Sequence, residues 1–334
     1  MSATVLVTDY AWPTIDVERQ VLGNVDAELL VARTGDEAEL LELAPRVDAI
    51  LTCWKPVTAA VLNAALACRT VARYGVGLDN IDIAAATELG VVVSNVPEFC
   101  TEEVADHAIA LVLSQARHVA RFATQTAAGD WDNRACGPMR RLRGQVLGLV
   151  GYGRIAQAVA ARAVGFGFDV LAFSPSRRSS GRTDDVRFAA NLSELLCTSD
   201  VVSLHLPSIP TTKGLIGAEA LAAMKPGAVL INTSRGTLVE EDALVDALRS
   251  GRLAGAALDV LADEPPDPAH PLLAMPQVTV TPHAAFYSTE AITELQETAA
   301  SNVAAVLAGE LPKSIVNPEV LSRPNLRVPV RSGR

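Results

Sequence analysis

Short β-branched or aliphatic runs recur along the chain with helical stretches between them: TVLVTD at 4–9, ELLVA at 28–32, DAILT at 48–52, TVARYG at 70–75, GVVVSN at 90–95, QVLGLVG at 145–151, DVLAFS at 169–174, VVSLHLP at 201–207, AVLINT at 228–233, GAALDV at 255–260 and QVTVTPH at 277–283. Alternation of this kind predicts parallel sheets covered on both faces by helices. Eleven strands are about twice what one doubly wound sheet usually holds, so the pattern predicts an α/β chain of two Rossmann-like doubly wound domains with a cleft between them. The stretch TEEVADHAIALVLSQAR, 101–117, reads as a long helix. Thr101 is placed to cap it, Glu102 and Glu103 suit its positive end, and Val104, Ala108, Leu111 and Val112 share one face. Glu290 to Ala308 reads as a second long helix that carries the chain back. The expected organisation is a discontinuous first domain, 1–100 plus 287–318, with 101–286 inserted as the second. Residues 319–334, with Pro324, Pro329, Ser332, Gly333 and four arginines, read as a disordered tail.

Composition narrows the function classes. The 334 residues are 49% hydrophobic, yet no apolar run approaches the roughly 20 residues that a membrane span needs. No membrane association is expected. A net charge of -10 opposes nucleic-acid binding. The five cysteines, Cys53, Cys68, Cys100, Cys136 and Cys197, are scattered, and MSATVLVTDYAWP has neither the basic start nor the apolar run of a signal peptide, so a cytoplasmic protein with reduced thiols is expected. There is no CxxC and no His pair at ligand spacing, so no metal is expected either.

The chemistry begins at 151. The strand QVLGLV runs into Gly151-Tyr152-Gly153-Arg154-Ile155-Ala156 and then into the helical pattern QAVAARAV. In a strand–turn–helix unit, G-x-G-x-x-A provides a tight turn at Gly151, close backbone approach to a pyrophosphate at Gly153, and close packing of helix on sheet at Ala156. Arg154 and Ile155, with Val104 from the preceding helix, are further candidate cofactor contacts. A nicotinamide dinucleotide is the cofactor implied. At the end of the next strand, where an acid would bind the ribose 2'-hydroxyl, stands Ser174, followed by Arg177 and Arg178. Guanidinium groups there suit a 2'-phosphate, so NADP is expected over NAD.

Three later segments put polar groups at strand ends: INTSRGTLV with Arg235, ALDVLADEPP with Asp259 and Glu264, and VTVTPHAAF with His283. With RYGVGLDNID at 73–82, this set resembles the D-isomer-specific 2-hydroxyacid dehydrogenase family from about Val47 to Pro318. NVPEFCTEEVADHA and TPHAAFYS look most like the branch that holds the C-terminal binding protein corepressors and their bacterial enzyme relatives. The resemblance implies that His283 is the general acid and base, that Glu264 bonds to its far ring nitrogen, and that Arg235 holds the substrate carboxylate and carbonyl. It further implies that the amides of Gly75, Val76 and Gly77 bind the carboxylate, that Asp259 accepts from the nicotinamide carboxamide, and that His205, Pro207, Thr212 and Thr233 line the cofactor. A homodimer through the cofactor domain is implied as well.

Departures from the family pattern bear on the substrate. Many members follow the acid with Ile-Gly-Gly, but this chain has Ala284-Ala285-Phe286-Tyr287, so Phe286 would narrow the pocket; Trp54 and Lys55 would add an apolar wall and a cation. His107, His118 and His270 read as structural. The function expected is hydride transfer between NAD(P)H and a small 2-oxoacid or 2-hydroxyacid. Two other readings stay open: oxidation of a phosphonate or phosphorus oxyacid, drawing on Lys55 and Arg73, and a dinucleotide-sensing interaction protein.

Overall fold

In the computed structural model, residues 2–174, 181–183 and 185–328 are described. The chain divides into two compact units, Met1–Phe99 with Ser288–Arg334, and Cys100–Tyr287. The first unit holds five strands, β1 (Ala3–Val7), β2 (Ala27–Val31), β3 (Ala49–Thr52), β4 (Thr70–Arg73) and β5 (Val92–Ser94), in the order β2-β1-β3-β4-β5. Every pairing in it is parallel. The strands are apolar on both faces because helices cover both: Leu6, Ile50, Leu51 and Val71 are fully buried. Burial of each such aliphatic side chain contributes about 1.5–3 kcal/mol.

The helix Thr289–Leu307 packs against β3 and β4. Its N-cap Ser288 accepts from the Ala291 amide, and Ala291, Leu295, Ala299, Val303 and Val306 bury one face. The expectation of a disordered tail from 319 is corrected as far as 328. Pro318–Ser322 forms a 3-10 turn, Val320 and Val328 are buried, and the Arg327 guanidinium donates to Ala65 O (2.8 Å) and Cys68 O (3.0 Å). Composition missed this because two buried valines and one well-aimed arginine suffice to hold a short segment; Arg331 and Arg334 lie outside the described residues.

The second unit holds β6 (Val146–Val150), β7 (Asp169–Phe173), β8 (Gly181–Thr183), β9 (Val186–Phe188), β10 (Val201–Leu204), β11 (Ala228–Asn232), β12 (Leu253–Leu258) and β13 (Val278–Val280), in the order β13-β12-β11-β10-β6-β7-β9-β8. All pairings are parallel except β8 with β9. β8 and β9 were not expected from the pattern, since three residues each are too few to show a period. The helix Thr101–Arg117 buries Val104, Ala108, Leu111 and Val112 as expected. Thr101, however, is its first helical residue; Cys100 occupies the N-cap, without a side-chain capping bond.

Each strand order reverses once, between β1 and β3 in the first unit and between β6 and β10 in the second. Loops leaving the carboxyl ends at such a switch point diverge to opposite faces and leave a crevice, the usual ligand position in open parallel sheets.

Candidate active site

At the β6/β10 switch point the chain leaves β6 through Gly151, whose φ is +97°. A side chain there would meet His205 O at 2.2 Å, so only glycine fits both the conformation and the space. Its amide donates to Phe173 O (2.7 Å), which ties the turn to β7. Gly153 then caps the helix Arg154–Gly165 with no side-chain hydrogen bond, and a Cβ built on it meets nothing within 4 Å. First-turn amides that no side chain caps, fronted by open space, fit a phosphate.

The facing loop leaves β10 through His205, whose amide extends the pairing to Val150 O (2.7 Å) and whose Nε2 lies 2.9 Å from Ser203 Oγ. Burial pushes this imidazole down to about 4, so it is neutral at neutral pH. The Thr212 hydroxyl donates to Pro207 O (2.7 Å) and accepts from the Ile209 amide (2.9 Å), so it braces the loop 207–212 rather than standing open to a ligand. Thr233, directly after β11, carries a buried hydroxyl with no hydrogen-bond partner among the described residues. An orphaned buried hydroxyl at the carboxyl end of a strand and an uncapped helix start at the carboxyl end of another in the same sheet are groups a dinucleotide would satisfy. Val104 is buried in its helix, Ser174 directly follows β7, and Arg177 and Arg178 lie outside the described residues.

The three groups expected to do chemistry are brought together. His283 Nδ1 lies 2.7 Å from Glu264 Oε2, and Glu264 Oε1 accepts from the Leu261 amide at 3.0 Å. Partial burial opposes ionisation of Glu264, but the hydrogen bond and charge of His283, the Leu261 amide and the charge of Arg235 outweigh it and hold the carboxyl below its ordinary value. Arg235 is placed by two devices. Asn232 accepts from the Ser234 amide (3.0 Å) and donates to Arg235 O (2.8 Å), an Asx turn that fixes the backbone. Next in sequence, Gly236 packs so closely that a Cβ would sit 1.9 Å from Leu261 C, which brings the arginine's turn against the segment that carries Glu264. Phe286 meets the His283 ring edge-on, with centroids 6.1 Å apart and planes at 80°.

His283 has φ +51°, an uncommon backbone state for a side-chain-bearing residue. Asp259 supplies the restraint. Its backbone O accepts the His283 amide (2.8 Å), Oδ1 accepts the Thr281 hydroxyl (2.6 Å) and the Ala284 amide (2.9 Å), and Oδ2 accepts the Ala285 amide (2.9 Å). This buried carboxylate thereby anchors the turn that presents the acid. His107, read as structural, joins the same network, its Nε2 lying 3.0 Å from Thr281 Oγ1 and 3.5 Å from Asp259 Oδ1. Sequence reasoning missed Asn232, Thr281 and His107. Asn232 alone carried a signal, an Asx two residues before a turn amide; the other two are partnered by residues far along the chain.

In the first unit, Gly75, Val76 and Gly77 follow β4, and Trp54 and Lys55 follow β3. The Gly75 amide is committed to Arg73 O (3.0 Å) by the fold of its own turn, with φ +136°, which corrects its expected role as a donor to substrate. The Val76 and Gly77 amides have no partner among the described residues, while Asn95 Nδ2 pins Val76 O at 2.9 Å. Trp54 is 44% exposed and Lys55 half-buried.

Residues 109–285 match the family described as D-isomer specific 2-hydroxyacid dehydrogenase, NAD binding domain. A glyoxylate reductase of Korarchaeum cryptofilum is 43% identical over 270 residues, covering 80% of this chain and 81% of that protein. A D-3-phosphoglycerate dehydrogenase of Mycobacterium leprae is 41% identical over 283 residues, which span 84% of this chain but 53% of the relative. Among solved structures, an NADPH-dependent glyoxylate/hydroxypyruvate reductase from Sinorhizobium meliloti, in complex with NADP and malonate, superposes with a TM-score of 0.85 at 29% identity, covering 96% of this chain and 98% of that one. A histidine–carboxylate pair at 2.7 Å, an arginine placed beside it, an uncapped helix start after a glycine turn, and these likenesses agree: the chain belongs to the D-isomer specific 2-hydroxyacid dehydrogenase family.

Proposed function

We propose that this chain reduces a small 2-oxoacid to the 2-hydroxyacid, with His283 as the proton donor. A nicotinamide dinucleotide, when bound, supplies the hydride. The observation that carries the reading is the 2.7 Å contact between His283 Nδ1 and Glu264 Oε2. It fixes the ring and leaves Nε2 to deliver a proton to the carbonyl oxygen as negative charge develops there. Arg235 offers a planar fork to the substrate carboxylate and the same oxygen, which orients the reacting carbon. In the reverse direction His283 takes the hydroxyl proton.

Recognition of the rest of the substrate is assigned to the Val76 and Gly77 amides, Trp54, Lys55 and Phe286. NADP is preferred over NAD in this reading. Support comes from Ser174 standing where an acid would repel a 2'-phosphate, from Arg177 and Arg178 following it in sequence, and from the NADP-bound relative of S. meliloti. The protein works as a homodimer through its second unit. There the helix Val119–Ala127 buries none of its residues, and Val119 (56% exposed) and Trp131 (90% exposed) are apolar groups suited to a second copy. The five cysteines are free thiols, which suits the cytoplasm.

The test is oxidation of NADPH and of NADH, followed by absorbance, against glyoxylate, hydroxypyruvate, phenylpyruvate and branched-chain oxoacids. Turnover on at least one acid with NADPH favoured is expected. A preference for NADH would refute the cofactor assignment alone, and no turnover with either cofactor would refute the reaction.

A further inference from the structure

The β1/β3 switch point of the first unit is closed by a residue of the chain itself. Asp9, two residues past β1, aims its carboxylate into the loop that follows β3. Oδ1 accepts the amides of Cys53 (3.0 Å) and Lys55 (3.3 Å), Oδ2 accepts the amide of Trp54 (2.8 Å), and the Thr8 hydroxyl adds a bond to Oδ1 at 2.7 Å. Three successive amides converging on one anion form a nest, a concavity that otherwise binds a free anion. From the other side of the loop, Asn80 Nδ2 donates to Lys55 O (3.0 Å) and Cys53 O (3.3 Å), and Asn80 O accepts the Val57 amide (2.7 Å). Asn80 lies three residues past Gly77, so the loops after β1, β3 and β4 are wired together at one end of the sheet. The Thr52 hydroxyl closes the circuit, donating to Lys55 O (2.8 Å).

We propose that Asp9 is a positioning residue for substrate recognition: its carboxylate gives Cys53–Lys55 one shape and so fixes Trp54 and Lys55 as the determinants of which 2-oxoacid side chain is accepted. The inference rests on the proposed reduction of a 2-oxoacid. The loop has no ladder partners of its own, so without the carboxylate its three amides turn to water and Trp54 and Lys55 lose their common orientation. Asp9 belongs to the first unit, and the acid and the cofactor turn to the second. Its loss therefore weakens binding of the oxoacid and leaves the chemical step in place.

The experiment compares wild type, Asp9→Asn, Trp54→Ala and the double variant in steady-state kinetics, with oxamate, a non-reducible 2-oxoacid mimic, titrated by tryptophan fluorescence. Asp9→Asn keeps the shape but turns an amide donor toward backbone donors. Hydrogen bonds to a charged group are worth about 1.5–3 kcal/mol and 1.4 kcal/mol is about tenfold, so KM for the oxoacid and Kd for oxamate are expected to rise about tenfold, with kcat and the cofactor KM changed less than about twofold. The double variant is expected to lose less than the two single effects combined, because Asp9 acts in part through Trp54. A purely structural role would move kcat and both KM values together, and that result would overturn the proposal. If Asp9→Asn fails to fold, an unchanged oxoacid KM in both Trp54→Ala and Lys55→Ala would overturn it equally. Wild-type turnover with an unaltered Asp9→Asn KM refutes this inference alone, whereas wild type that neither turns over nor binds oxamate refutes the functional reading and this one with it.

Discussion

Both units are parallel sheets whose strand order reverses once, yet they treat the crevice at that point in opposite ways. In the second unit the chain leaves β6 through Gly151 and Gly153, keeps side chains out, and presents an uncapped helix start. In the first unit it leaves β1 through Asp9, whose carboxylate takes up the loop amides itself. The same topology is thus a ligand site in one unit and a braced scaffold in the other, and the difference turns on which residue type follows the first strand. Glycine leaves donors open for a foreign anion, and aspartate satisfies them with one of its own.

The chemistry belongs to the open side, and removing it is expected to have the largest effect. His283→Ala should lower kcat about 10²–10⁴-fold, the usual contribution of a positioned acid, while the dinucleotide Kd measured by fluorescence stays as in wild type. A parallel loss of dinucleotide binding would mean that His283 holds the second unit together rather than donating a proton.

Gly153→Asp tests the comparison directly by giving the second unit the arrangement of the first. The position has φ −80° and open space for a Cβ, so folding is expected to survive. A carboxylate at the helix start would compete for the phosphate amides and repel the phosphate, raising the dinucleotide Kd by about 100-fold or more. An unchanged Kd with a normal melting curve would break the assignment of this turn to the cofactor.

Glu264→Gln should act through pH. The folded carboxyl is held below its ordinary value, so its charge is fully present above the ordinary carboxylate range and is lost only as pH falls through the lowered value. In wild type, therefore, Glu264 supports His283 across the neutral range and fails only in acid. The glutamine keeps the shape but not the charge. Reduction should slow about tenfold at neutral pH, roughly the worth of one charge-assisted hydrogen bond, and the gap to wild type should close as pH falls through the lowered Glu264 value. A profile identical to wild type would leave Glu264 as a loop charge.

The smallest effect is expected at Thr233. Its hydroxyl is buried without a partner, and Thr233→Val should weaken the dinucleotide about three- to tenfold while raising unliganded stability by up to about 1 kcal/mol, since an unsatisfied polar group is removed. Greater stability with no change in dinucleotide affinity would show that the hydroxyl is an unpaid cost of the fold rather than a contact held for the cofactor.

How much of this was legible in the sequence differs between the two sides for the same reason. On the open side the informative residues are rare types at fixed offsets: glycines at 151 and 153, an arginine followed by a glycine, and a histidine after a strand ending in TP. On the braced side the work falls to Asp9 and Asn80, ordinary polar residues whose side chains bond to β3 and the loop after it, 25 to 46 positions away. Nothing local marks them.

By itself the sequence determined the alternation of strands and helices, the class of fold and the glycine turn, because periodicity and residue type are local properties; His283, Glu264 and Arg235 were singled out through the resemblance to the family. Tertiary structure alone decided that Asp259 anchors the His283 turn, that His107 and Thr281 join it, that the Gly75 amide is already taken, that residues 319–328 are packed, and that Asp9 fills the other switch point. All but the Gly75 contact are pairings between distant positions, and a buried donor or acceptor settles on its partner only when the fold has brought the two within about 3 Å.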